Sequence, residues 1–174
     1  MVDRLVHGCD GRQRVTRASA DDLRAIISNH RELWLFGEQS AHVWYNSGST
    51  SYYYEGESFP FQPMSNVYIE HGIHAPYSVV NLDNTLYWLG ADKLGVGQVW
   101  RANGYTPERI SNHSVEYFLG QYKRLDRAIA YAYQDEGHSF YVLYVPEDGL
   151  TETTTWVYDV STRMWHERAT WNED

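Results

Sequence analysis

A single cysteine, Cys9, is all the thiol chemistry in this chain of 174 residues. No intrachain disulfide can form, which fits synthesis in a reducing cytoplasm. Positive charge is also scarce, with 14 Lys and Arg against 23 Asp and Glu and a formal net charge of -9. Nucleic-acid affinity comes mainly from clustered Lys and Arg that neutralise phosphates, so this balance argues against a phosphate-gripping surface. The exception is the leading segment, where Arg4, Arg12, Arg14 and Arg17 face only Asp3 and Asp10 before the acidic pair Asp21 and Asp22. Residues 1–20 read as a loosely ordered arm. No apolar run approaches the roughly 18 residues of a membrane span. The first eight residues lack the apolar centre of a secretory signal, and in that setting the sequon at Asn112-His113-Ser114 is accidental.

Catalytic patterns are thin. His71 and His74 are three residues apart, which in an extended segment puts them on opposite faces, so a shared metal would need a turn between them. His7, His30, His42, His113, His138 and His166 have no Glu or His at metal-site spacing. The carboxylate pairs Asp135-Glu136 and Glu147-Asp148 fall in hairpin turns, where acidic residues serve solubility rather than glycoside chemistry. The glycines of residues 90–97 precede no Lys-Ser/Thr step and bridge two strands, so they form a hairpin and not a phosphate loop. Ser40, Ser47 and Ser78 lack a nucleophile elbow, and the Ser-x-Asp-x-Gly-x-Thr-Trp turns of sialidase-type propellers do not occur. The expectation is a protein without catalytic, cofactor or metal residues.

What the chain has is aromatic residues and repetition. Aromatics make up 16% of it, including 15 Tyr and 7 Trp, which are strand formers with large buried area. Apolar words at 32–37, 85–90 and 139–144 repeat, with Leu33, Leu86 and Phe140 spaced 53 and 54 residues apart. That period suits four-stranded propeller blades. Strand-like runs precede each word at 23–28, 77–82 and 128–133, separated by turn formers at Asn29, Asp83-Asn84 and Glu136-Gly137, which predicts three hairpins. Aromatic third strands follow at 42–45, 98–101 and 156–158. Short fourth segments follow at 59–61, 107–110 and 164–168. Residues 157–165 look like a kelch-type turn, in which Asp159, Ser161 and Thr162 bond the turn backbone while Tyr158 and Trp165 pack between blades.

The predicted fold is therefore all-β and β-propeller-like, with about three four-stranded antiparallel blades forming a partial propeller. The expected divisions are a leading segment at 1–20, blades at 21–72, 73–124 and 125–170, and a tail at 171–174. Trp34, Trp88, Trp100, Trp156, Tyr158 and Trp165 are the expected inter-blade core. Closed propellers use roughly four to eight blades. The chain thus reads either as part of a longer polypeptide, the favoured reading, or as one protomer of a ring closed by several chains. A partly closed sandwich fits the same strand spacing.

Residues 33–40, 43–48, 69–72, 87–90, 101–111, 130–143 and 165–168 together resemble the packaged-DNA stabilisation proteins of short-tailed, tailspike-bearing phages, over roughly residues 20 to 170. The resemblance implies a propeller-like structural protein of the virion tail, made in the bacterial host cytoplasm. Such a protein retains packaged DNA and links the portal adaptor to the tail needle and tailspike. It also implies self-association, with DNA passing through without sequence-specific binding and no membrane contact. Family members look well over twice this length, so the chain resembles an internal or truncated portion. Two other readings stand beside it: a kelch-like protein-interaction adaptor, and a carbohydrate-binding propeller with aromatics and carboxylates around its channel.

Overall fold

Three two-residue turns set the frame of the molecule. His30-Arg31, Asp83-Asn84 and Glu136-Gly137 all carry positive φ at both positions, from 48° to 82°. This is the type I′ geometry whose twist matches that of the strands it joins. In the computed structural model, which describes residues 21–48, 53–54, 57–58, 60–91, 94–146 and 154–168, these turns join β1 (Leu23–Asn29) to β2 (Glu32–Gly37), β7 (Val80–Leu82) to β8 (Thr85–Ala91), and β11 (Ile129–Asp135) to β12 (His138–Val145).

Two further strands complete each sheet. The first sheet adds β3 (Ala41–Asn46) and β6 (Phe61–Pro63) in the order β1-β2-β3-β6; β4 (Tyr53–Tyr54) and β5 (Glu57–Ser58) pair with each other between them. The second adds β9 (Gly97–Asn103) and β10 (Thr106–Arg109), and the third adds β13 (Thr154–Asp159) and β14 (Met164–Arg168). All neighbouring pairs are antiparallel. Three four-stranded antiparallel sheets in sequence order are the blades of a β-propeller.

The structural repeat is 53 residues, as Glu32, Thr85 and His138 open the second strand of each sheet. Aligning Leu33, Leu86 and Phe140 therefore slips one residue in the third unit, where Ser139 is the equivalent of Leu86. Side chains alternate along a strand, so the slip moves Phe140 to the opposite face. Three other expectations shift. The run at 77–82 begins with a one-turn 3-10 helix, Pro76–Ser78, because Pro76 fixes the turn and Ser78 Oγ donates to the Ala75 carbonyl at 2.7 Å. The fourth strand of the first sheet is Phe61–Pro63, and Phe59 lies outside the described residues. A helix, α1 (His113–Leu119), lies in a stretch to which the sequence assigns no strand. Asn112 starts it, its Oδ1 accepting the Val115 N–H at 2.9 Å as an N-cap. The arginines and Cys9 of the leading segment, and Glu147-Asp148, also lie outside the described residues.

The middle sheet is buried on both faces. Leu86, Trp88, Trp100 and Ala102 point to the first sheet and join Trp34, Phe36, Val43, Ile69 and Ile73 in one core. Tyr87, Leu89 and Val99 point to the third and join Tyr141, Leu143, Trp156 and Tyr158 in the other, closed at one end by Val115, Leu119 and Leu125. The strands that open the sheets lie side by side, β11 against β7 and β1 against the 3-10 turn before β7. Their ends are tied by polar links. His30 Nε2 donates to the Asn84 carbonyl at 2.9 Å, Asn81 Nδ2 to Asn29 Oδ1 at 2.9 Å, and Gln134 Nε2 to Asp83 Oδ1 at 2.7 Å.

Candidate functional site

The structure gathers the six aromatics selected from the sequence into two groups. At the first boundary, Trp34 on β2 stacks with Tyr105 from the β9–β10 turn, centroids 6.1 Å apart, and Phe36 meets Trp88 at 5.2 Å. Trp100 on β9 lies under the His71 ring at 3.8 Å. At the second boundary, Trp156 on β13 meets Phe118 at 5.7 Å, and Tyr158 meets Trp165 at 5.1 Å. Trp165 Nε1 donates to the Ile110 carbonyl, in the second unit, at 2.9 Å. All are buried except Trp165, which is half-buried.

Sequence reasoning passed over Tyr87 and Tyr141. Their rings stack at 5.7 Å across the second boundary, and the fully buried Tyr141 hydroxyl donates to the Ser78 carbonyl at 2.9 Å. Burial pushes the Tyr141 phenol far above its ordinary pKa, so it stays a donor. The signal was available in the 53-residue register, which places Tyr87 at the position of Trp34.

His71 and His74 sit in the connector from the first to the second sheet, threaded tightly against the chain. Ile73 N–H donates to the Gly37 carbonyl and His74 N–H to the Leu89 carbonyl, both at 2.8 Å. The Gly72 carbonyl accepts Trp88 Nε1 at 3.2 Å. Burial lowers the pKa of both histidines, against Glu70 beside His71 and Asp126 beside His74. These contacts make the pair part of the inter-sheet packing. Among the described residues, no three His, Cys, Asp or Glu side chains are grouped to hold a metal, and no helix is long and apolar enough to cross a membrane.

The third sheet carries the most polar construction. Asp159 Oδ1 accepts the N–H groups of Ser161 at 2.8 Å and Thr162 at 3.4 Å, and Oδ2 lies 2.9 Å from His138 Nδ1. Burial raises the Asp159 pKa, but these hydrogen bonds outweigh it and hold the carboxyl below its usual range. Within the Asp-x-Ser-Thr turn it is the Asp159 side chain that bonds the backbone, through the Ser161 and Thr162 N–H groups. Beside it an open cleft of about 460 Å³ is lined by Asp83, Gln134, Asp135, Glu136, Ser139 and Ser161. Gln134 bridges Asp83 and Ser139 there, at 2.7 and 3.2 Å, so its polar groups hold two sheets together.

The family model described as Bacteriophage P22 Gp10, beta-propeller, matches residues 11–173. No curated protein matches the chain.

Proposed function

The chain belongs to the phage-stabilisation family described as Bacteriophage P22 Gp10, beta-propeller, and from that membership we propose a non-catalytic structural role at the tail of a virion. In this reading it helps to retain packaged DNA and connects the portal adaptor to the tail needle and tailspike, with DNA passing through without base readout. It is made in the host cytoplasm and carried in the assembled tail. The observation that carries the reading is a family match that runs through all three sheets. The acidic net charge of -9 agrees with it, because such a surface does not grip the phosphates of passing DNA.

The role proposed for Trp34, Trp88, Trp100, Trp156, Tyr158 and Trp165 is packing between blades. Burial and mutual contact support that role over a sugar platform, which needs exposed rings.

DNA-filled heads carrying portal and adaptor but no later tail component provide the test. Added chain should bind them and reduce the nuclease-sensitive DNA they release. Failure to bind, combined with saturable binding to glycans, would favour the carbohydrate-binding propeller; neither binding nor retention would remove the tail role.

A further inference from the structure

The β2–β3 turn closes around a carboxylate that comes from outside it. The backbone N–H groups of Glu38, Gln39 and Ser40 donate to Asp21, the first to Oδ1 and the others to Oδ2, each at 2.9 Å. Ser40 Oγ adds a bond to Oδ2 at 3.0 Å, from a residue that is 2% exposed. Successive N–H groups aimed at one point form an anion-binding concavity. Bonds to a charged acceptor are about twice as strong as neutral ones.

The place is shaped for this side chain. A Cβ on Gly37 would stand 2.3 Å from Asp21 Oδ2 and 2.5 Å from its Cγ, so a larger residue at position 37 would expel the carboxylate. At the equivalent position of the second sheet, 53 residues on, a Cβ on Gly90 would meet the Gly72 carbonyl oxygen at 2.8 Å. The chain arriving at the second sheet thus fills that place with main chain, and the chain arriving at the first fills it with Asp21. Arg24 also pairs with Glu38, but both side chains are about half exposed and the pair contributes little.

The turn that Asp21 holds also carries the connector. Ile73 N–H donates to the Gly37 carbonyl at 2.8 Å, and Gly72 lies directly against the main chain of Glu38 and Gln39. The Gly72 carbonyl in turn accepts Trp88 Nε1. The carboxylate therefore stands where the entry to β1, the β2–β3 turn and the connector to the second sheet meet.

We propose that residues 38–40 form a carboxylate-binding site which the chain fills with its own Asp21, and that this strap positions the connector and, through it, the first boundary. Emptied of Asp21, the same site takes a free small carboxylate such as formate. The proposal rests on hydrogen bonds and close approach, so its failure would leave the tail role untouched.

Amide hydrogen exchange of the 174-residue chain, read by NMR, tests it. Asp21→Ala should speed exchange of the Glu38, Gln39 and Ser40 amides about tenfold or more and shift the tryptophan emission, while the amides of β12 keep their protection. Formate replaces the carbon and oxygens that the substitution removes. It should reverse both changes saturably, whereas chloride at the same ionic strength should not. Gly37→Ala keeps Asp21 in the chain but puts a methyl where its carboxylate sits, so protection should be lost and formate should not restore it. Where Asp21→Ala does not fold, Asp21→Asn, which keeps one acceptor oxygen, should still speed exchange of the same amides. Amides that stay protected in a folded Asp21 variant would overturn the proposal. So would formate that leaves Asp21→Ala unchanged or protects Gly37→Ala equally. Lost protection with unchanged tryptophan emission would overturn the coupling to the connector.

Discussion

Tyr87 stacks on Tyr141 across the boundary between the second and third sheets, with centroids 5.7 Å apart and planes inclined by 26°. The pair joins two sheets through apolar area and one hydrogen bond, from the Tyr141 hydroxyl to the Ser78 carbonyl. Tyr141→Phe keeps the ring and removes the bond, so it should cost about 1 to 2 kcal/mol. Tyr141→Ala removes the ring from a fully buried site and should cost about 3 to 5 kcal/mol. Urea denaturation measures both. Equal losses would mean that the ring contributes nothing beyond the hydroxyl.

Trp88 and Trp165 differ in burial, and their truncation should differ accordingly. Trp88 is 0% exposed at the first boundary, so Trp88→Ala should cost about 3 to 5 kcal/mol. Trp165 is half-buried, and its alanine variant should lose less, near the lower end of that range. Wild-type stability in either variant, together with lost affinity for a sugar or protein, would make that ring a binding platform.

The sheets were legible because their strands alternate and two of the three hairpin turns, Asp83-Asn84 and Glu136-Gly137, carry Asn, Asp or Gly; the first is His30-Arg31, with Asn29 the last residue of β1. Register was harder to read. Phe140 resembles Leu33 and Leu86 in type, and Ser139 does not, so matching by apolar character chose the wrong residue. Only the turn positions fixed the period. Helix α1 escaped because His113–Leu119 is barely two turns long, and the apolar residues it buries, Val115 and Leu119, resemble those of a strand-rich chain. Trp34 and Trp88 were selected as aromatics on strand-like runs, although the 53-residue register puts them at different positions, whereas Tyr141 and the close-packed connector at Gly72 depend on contacts between units that no single stretch displays.

Stability should fall as the solution is acidified below neutrality. Burial lowers the pKa of His42, His71 and His74 from 6.5, so the folded state binds protons less readily than the unfolded chain. Their contribution is fully present above 6.5 and is lost as pH falls through the lowered folded values. Urea midpoints should therefore decline with acidification, and His74→Gln should flatten part of the slope. An unchanged slope in that variant would remove His74 from the account.

Hydrolytic activity should be undetectable. The turn carboxylates Asp135 and Glu136 face an open cleft, and Asp159 is occupied by the backbone of its own turn and by His138. Screens on glycan, ester and phosphoester substrates should give blanks. Reproducible turnover abolished by Glu136→Gln in a folded protein would contradict the non-catalytic role.

Gly72 should be the least replaceable glycine in the connectors among the described residues. A Cβ there would stand 2.3 Å from the Glu38 carbonyl carbon and 2.4 Å from the Gln39 nitrogen, and both neighbours are backbone atoms that have little room to move. The clash would push the connector away from the β2–β3 turn. It would strain the Gly72 carbonyl's bond with Trp88 and the stack of His71 on Trp100. Gly72→Ala should cost about 1 to 3 kcal/mol and shift the tryptophan emission of the folded state. Gly120→Ala is the control, since its nearest neighbour to a new Cβ is 3.4 Å away and its φ is -69°. It should leave the emission unchanged and stability within about 0.5 kcal/mol. If Gly72→Ala matches that control in both measurements, the connector is not the tight clasp described, and the first boundary is held by its aromatic rings alone.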